Sequence, residues 1–389
     1  MLLLLGCIGI SASRIPNQDI YADDGEQRKS NMPIHFAVVG DVRPALAMEG
    51  TRRAVTPGTQ AAVSADISDA VGRGDVAFVA LLGDLVTRST TTQWKRFNRD
   101  WSDVIAGSEL SSTGRQRTRV APVAGNHDRI FDNRLQGFGA AFQGVGADIG
   151  YGRVASWYSF DLVVQSYTWR VLVVDSDKSK LGSRWAEQTR WLESRTKDES
   201  YDALIVMMHH PLLTLASGFE SNEGGGPREL LTIVDEHSKL GALRMVLSGH
   251  AHTNEVFLPN GTLGELYLTA GGGGSPADSL RRWGPADAAG FKDVQLESIY
   301  DLALIREFGR WSETADFPET IVDKARGDGS YEGFTAEYDA NYFPIQGWWD
   351  IGLGVGEAEV SFRMLGQDGT FKDLYLIQHN ERSGWKSGR

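Results

Sequence analysis

Val120-Ala121-Pro122-Val123-Ala124 leads without a break into Gly125-Asn126-His127-Asp128. The apolar run reads as a buried strand that ends in a glycine and then offers an amide, an imidazole and a carboxylate. Asn and His bind metal ions or phosphate oxygens, and α/β proteins place such groups at the carboxyl ends of buried strands. Taken alone, the tetrapeptide is also what a helix cap or a tight turn looks like. Its meaning depends on whether the same pattern recurs.

It recurs four times. Residues 34–39 are apolar and end in Gly40-Asp41, and residues 76–82 end in Gly83-Asp84. Residues 203–208 run into His209-His210-Pro211, and residues 244–248 into Gly249-His250-Ala251-His252. Between these runs, residues 60–73, 91–106, 184–196 and 227–239 carry apolar side chains at helical spacing; Trp94, Phe97, Trp101 and Ile105 are the clearest case. Strands alternating with helices predict an α/β fold. Residues 157–164 and 169–175, joined by a short link, predict an antiparallel pair within it. Residues 357–377, split by Gln367-Asp368-Gly369, predict a β-hairpin. No internal repeat is visible.

Composition narrows the chemistry. The chain has 389 residues, of which 41% are apolar and 23% charged, as in ordinary soluble globular proteins. Its net charge of −12 argues against a nucleic-acid backbone as main partner. A single cysteine, Cys7, excludes an intrachain disulfide and a thiolate metal cluster. Any metal site must therefore rest on His, Asp, Glu and Asn, which favours zinc, manganese or iron. No Gly-x-Ser-x-Gly element is present, so serine nucleophilic catalysis is a poor rival. Residues 271–274 are four glycines, but no Lys-Ser/Thr follows, which rejects a P-loop; they read as a place where the chain passes close beneath the site. His237 and His379 read as solvated, and Trp348 and Trp349 as packing residues.

Residues 1–10 are apolar and too short to span a bilayer. Leu4-Leu5-Gly6-Cys7 resembles a bacterial lipobox, although no basic segment precedes it. The expectation is export to the bacterial cell envelope, with a lipidated Cys7 as membrane tether and the rest of residues 1–32 as a flexible leader. Residues 33–275 form the expected core, 276–345 an insertion or rim subdomain, and 346–389 a hairpin that completes the core.

If the strands share a sheet, their carboxyl ends bring Asp41, Asp84, Asn126, His209, His250 and His252 together. Six oxygen and nitrogen donors suit two divalent cations, with one carboxylate between them, and such pairs hydrolyse phosphate esters. Gly40-Asp41, Gly83-Asp84, Gly125-Asn126-His127-Asp128, His209-His210-Pro211 and Gly249-His250-Ala251-His252 together resemble the calcineurin-like metallophosphoesterases, which include purple acid phosphatases and cyclic-nucleotide phosphodiesterases. The resemblance implies an αββα sandwich of two mixed sheets flanked by helices, and a phosphomonoesterase or phosphodiesterase that uses a metal-activated hydroxide on a phosphate ester. It implies two divalent ions (Mn, Zn or Fe), the first on Asp41 and His252 and the second on Asn126, His209 and His250, with Asp84 bridging. His127 would assist the leaving group, Asp128 would orient His127, and His210 would neighbour the ligand His209.

One position departs from the family. Its first block usually reads Asp-x-His, and here it reads Asp41-Val42-Arg43. Arginine offers no lone pair to a metal. The purple acid phosphatases replace this histidine with a tyrosine three residues past the bridging aspartate, but position 87 is Thr. Two readings of Arg43 stand open. It binds the substrate phosphate and takes over charge stabilisation, or it marks a catalytically weakened binding protein that keeps the fold. The six remaining ligands and His127 favour the first.

Overall fold

The strand Ile34–Val39 (β1) sends Phe36 and Val38 into one apolar cluster and Ala37 and Val39 into another. A strand apolar on both faces must lie between two layers. The computed structural model describes residues 33–44, 58–106, 120–142, 156–198, 200–214, 223–238, 243–257, 265–275, 346–365, 369–380 and 384–387. The leader expected over residues 1–32 and the rim insertion expected over 276–345 lie outside them.

After β1 come the helix Thr59–Arg73 (α1), the strand Phe78–Leu81 (β2), the helices Thr91–Asp100 (α2) and Ser102–Ala106 (α3), the strand Val120–Pro122 (β3) and the short helix Gln136–Ala141 (α4). Tyr158–Val164 (β4) and Tyr167–Val173 (β5) form the antiparallel pair, followed by Lys178–Leu181 (α5), Trp185–Thr196 (α6), Ala203–Met207 (β6) and Gly226–His237 (α7). The strands Arg244–Ser248 (β7), Asn254–Phe257 (β8) and Glu265–Ala270 (β9) precede the terminal strands Gly347–Leu353 (β10), Glu357–Leu365 (β11), Phe371–Asn380 (β12) and Gly384–Ser387 (β13).

These make two mixed sheets. The first has the order β13-β12-β11-β10-β1-β2-β3, with β1, β2 and β3 parallel and β10 antiparallel to β1. The second has the order β4-β5-β6-β7-β9-β8, with β5, β6, β7 and β9 parallel. The sheets face each other across one cluster in which Phe36, Phe78, Ile205, Met207, Met245 and Trp349 are buried. On the outer face of the first sheet, Val63, Ile67 and Val71 of α1 and Trp94 and Phe97 of α2 cover Val39, Val79 and Leu81. On the outer face of the second, Leu192 of α6 and Leu230 and Val234 of α7 cover Leu172, Leu204 and Val206. The result is the αββα sandwich, and its layers follow from the period-two alternation of every central strand.

Some expectations change in detail. The helix over residues 91–106 breaks at Trp101, whose backbone leaves helical geometry at φ −114, giving α2 and α3. The hairpin expected over residues 357–377 is the antiparallel pair β11–β12, and β10 and β13 flank it, with Trp348 and Trp349 buried on β10. His379 is buried rather than solvated and packs against Trp385, 5.1 Å between ring centroids. Among the described residues no helix is long and apolar enough to cross a membrane.

Candidate metal centre

Parallel strands within a sheet present all their carboxyl ends at one edge, and here both sheets do so at the same edge. Asp41 follows β1, Asp84 follows β2 and Asn126 follows β3; His209 follows β6, and His250 and His252 follow β7. Main-chain bonds tie the strand ends together, both between the sheets and within each. Gly40 N donates to Ala270 O at 2.6 Å across the sheets, Asp41 N to Gly83 O at 3.0 Å, and Gly249 N to His209 O at 3.0 Å. Beneath them passes the glycine run, with Gly273 N donating to Gly40 O at 3.1 Å and Ser275 N to Asp41 O at 2.9 Å. Gly125 admits Asp84, because a Cβ there would run into the Asp84 amide nitrogen and carboxylate.

The structure brings all the expected ligands together. Donor atoms of Asp41, Asp84 and His252 lie within 4.8 Å of one another, and so do those of His209, His210 and His250. Asp84 Oδ1 also lies 3.2 Å from His209 Nε2, so this carboxylate touches both groups. Asn126 Oδ1 meets His209 Nε2 at 3.0 Å and His250 Nδ1 at 3.1 Å. Asp41 Oδ2 accepts from the His250 amide at 2.7 Å, and Asp41 Oδ1 faces His252 Nε2 at 3.4 Å. His127 N donates to Asp84 Oδ1 at 2.8 Å, and its Nε2 faces Asp84 Oδ2 at 3.8 Å. Arg43 is buried, with Nε 3.7 Å from Asp84 Oδ2.

The donor set fits two divalent cations. Asp41 Oδ1 is buried and accepts no hydrogen bond among the described residues, a costly state for a carboxylate oxygen that a cation would relieve. His209 Nδ1 donates to the Leu82 carbonyl at 2.8 Å, which fixes its tautomer and turns Nε2 toward Asp84 and Asn126. Burial pulls the His209 imidazole down, but the charges of Asp84 and Asp41 outweigh it and lift the group to about 10. A proton thus sits where the two carboxylates call for positive charge. Burial, then the charge of His209, pushes His250 down to about 3, so it is neutral and able to ligate. Burial pushes Asp84 up, yet His209, His127 and Arg43 hold its carboxyl well below the usual range.

One assigned role needs correction. Asp128 does not orient the His127 ring. Its Oδ1 accepts from Leu85 N at 2.9 Å and Val86 N at 3.2 Å, and its Oδ2 from Gly125 N at 2.9 Å. The residue staples the end of β2 to the end of β3. Burial, then the charge of Asp84, lifts its carboxyl to about 7. His127 is oriented instead by the Thr87 carbonyl, which accepts from Nδ1 at 2.8 Å.

Two further residues complete the surroundings. His210, expected only as a neighbour of His209, brings a ring nitrogen into the three-histidine group, and Ser176 Oγ lies 2.9 Å from its Nδ1 and accepts from its amide at 2.9 Å. Ser176 comes directly after the buried run that ends at Asp175, the same strand-end pattern that flags the ligands, so the sequence held a signal for it. Asp175 in turn pairs with Arg129 and accepts from Ser156, linking the loop after β3 to the end of β5.

The profile of the calcineurin-like phosphoesterases matches residues 34–254. A protein of Synechococcus sp. named as a probable cyclic nucleotide phosphodiesterase is 25% identical over 219 residues, which are 56% of this chain and 71% of the relative. Purple acid phosphatase PPD1 from yellow lupin (Lupinus luteus) seeds has a TM-score of 0.53 at 15% identity, over 89% of this chain and 53% of that one. The chain therefore spans about half the length of the lupin protein, and that likeness is one of fold.

Proposed function

This chain belongs to the calcineurin-like phosphoesterase family, and from that premise we propose that it is a metal-dependent phosphoric ester hydrolase whose own residues divide the work as follows. The observation that carries the proposal is the Asp84 carboxylate, which touches both donor groups while its Oδ1 also holds the His127 amide. Asp41, Asp84 and His252 would hold one divalent ion, and Asn126, His209, His250 and Asp84 the other. Bound there, the pair supplies Lewis acidity toward a phosphoryl oxygen and lowers the pKa of water into the neutral range.

His127 acts on the other side of the phosphorus. With Nδ1 committed to the Thr87 carbonyl, Nε2 is the nitrogen free to pass a proton to the departing alkoxide. The bond from its amide to Asp84 keeps the proton carrier in register with the ligand carboxylate. Arg43 stands where the family's histidine ligand stands, and its guanidinium binds a non-bridging phosphate oxygen as the charge on phosphorus grows. The relative's name favours a phosphodiester over a monoester. Export with lipid attachment at Cys7 rests on Leu4-Leu5-Gly6-Cys7 and is tested by radiolabelled palmitate incorporation that Cys7→Ser abolishes.

The test is metal analysis of the purified chain together with turnover of 4-nitrophenyl phosphate and bis(4-nitrophenyl) phosphate in Mn, Zn, Fe and Co. Two bound ions and cleavage of at least one ester are expected. Protein that holds less than one ion per chain and cleaves neither ester would instead be the binding protein that Arg43 left open.

A further inference from the structure

Four residues past His127 the chain carries a ring that the fold does not use. Phe131 is 77% exposed, more so than any other large apolar side chain among the described residues, and its backbone sits at φ 71. A left-handed backbone is an outlier for a bulky aromatic, where Gly or Asn is usual. Exposure and strain both oppose folding here, and residues that combine them cluster at functional sites.

The ring's position is fixed by the same segment that orients His127. Ser89 N donates to Ile130 O at 2.9 Å, so residues 130–131 lie against residues 87–89, and Thr87 O holds the His127 ring. Between these contacts stands Arg88, exposed, with its guanidinium carbon 5.7 Å from the Phe131 ring centroid. Its amide is anchored to Gln93 Oε1 at 3.0 Å, and among the described residues no carboxylate pairs with its guanidinium. The pair thus offers an open aromatic face and a cation, held by backbone bonds beside the residue that faces the leaving oxygen.

We propose that Phe131 and Arg88 form the platform for the leaving group, and that this group is planar and aromatic, either nucleobase-bearing or aryl. The inference rests on the reading of His127 as the proton donor to that group. A ring laid on Phe131 would hold its ester oxygen on the His127 side. A short aliphatic alcohol has no face to stack, so the platform separates substrate classes without touching the metal centre.

The test uses the metal-loaded full chain with phenyl, adenosine and glycerol phosphate esters, each as mono- and diester, against wild type, Phe131→Ala, Phe131→Gly and Phe131→Trp. Glycine fits φ 71 without penalty, so Phe131→Gly keeps the fold even if alanine strains it. Loss of the ring should lower kcat/KM for the aromatic esters about tenfold, the scale of one base–aromatic stack, mostly through KM. Glycerol esters should hold within about twofold of wild type, and Phe131→Trp should restore the aromatic esters. A loss confined to adenosine esters assigns a nucleobase and one confined to phenyl esters an aryl group; either upholds the platform. An equal fall on all three classes, or none, overturns it. A second readout is independent of turnover: adenosine and phenol titrated by NMR should bind wild type saturably and Phe131→Gly about tenfold more weakly. If wild type cleaves nothing yet binds them through Phe131, the hydrolase reading fails and Phe131 stands as an aromatic-binding site rather than a leaving-group platform; if wild type and Phe131→Gly bind alike, the platform fails.

Discussion

Replacing Asp128 separates the two roles that its sequence neighbourhood and its contacts suggest. Its carboxylate accepts three backbone N–H groups, from Leu85, Val86 and Gly125, and is fully buried. Asp128→Ala removes both acceptor oxygens, and with them all three hydrogen bonds, at once. A buried N–H left without a partner costs about 1–3 kcal/mol, so three of them amount to about 3–6 kcal/mol after partial relief by water. That is a large share of the roughly 5–15 kcal/mol that holds a typical domain together. Asp128→Asn keeps Oδ1 for Leu85 and Val86 but turns an NH2 toward the Gly125 N–H, a loss of about 2–3 kcal/mol. Thermal and urea midpoints should therefore fall in the order wild type, Asn, Ala, and bound metal should fall with them, because Gly125 and Asp84 are what the staple holds together. The reasoning is refuted if Asp128→Ala keeps its midpoint within about 1 kcal/mol of wild type while kcat drops and the acid limb of its pH profile moves. That pattern would mean the carboxylate serves the His127 ring after all.

Three more outcomes follow from particular contacts. Arg43→Gln should raise KM for a phosphodiester about tenfold to a hundredfold through loss of a charge-assisted hydrogen bond, with metal content unchanged; Arg43→His should increase metal content, read by plasma mass spectrometry after dialysis. Gly125→Ala should lower both the thermal midpoint and metal content, since its Cβ meets Asp84, with overpacking of about 1–3 kcal/mol. The hydrogen bond that His35 Nδ1 donates to Asp350 Oδ1, at 3.0 Å, lifts His35 above its ordinary value against the pull of burial. A raised group stabilises the fold fully below its unfolded value, about 6.5, and loses that contribution as pH rises through the folded one. Urea midpoints should therefore fall across that window in wild type and stay flat in Asp350→Asn.

The ligands were legible in the sequence because each is a side chain of distinctive chemistry at the end of an apolar run, and parallel strands carry their ends to one edge. The orienting groups were not. Leu82 O and Thr87 O, which set the tautomers of His209 and His127, are backbone carbonyls, and residue type says nothing about where a carbonyl points. Asp128 was misassigned for a geometric reason. Residues 127–129 form a 3-10 turn, in which consecutive side chains diverge by about 120°, so adjacency in sequence placed the carboxylate away from its neighbour's ring. The break at Trp101 was hidden because the apolar spacing continues through it into α3.

The Gly-then-ligand pattern has a physical cause that the sequence showed without explaining. Asp41, Asp84 and His250 are three of the six non-glycine residues with positive φ among those described, at 56, 54 and 68. Each directly follows a glycine, and each glycine marks a near-collision: a Cβ would stand 2.9 Å from Ala270 O at Gly40, 2.5 Å from His209 Nδ1 at Gly83, and 2.6 Å from Leu82 O at Gly249. The glycine lets two strand ends approach, and the left-handed residue after it turns the chain back sharply enough to aim a carboxylate or imidazole into the gap. Such backbones cost about 1–3 kcal/mol each and gain nothing from apolar packing, since all three side chains are polar. What offsets them is the mutual fit of the ligand cluster. The strain is therefore the signature of the site, and it falls on Asp41 as on the other two. A chain whose first metal position had decayed would have no reason to keep Asp41 left-handed beside Arg43, which favours Arg43 as a working member of the site.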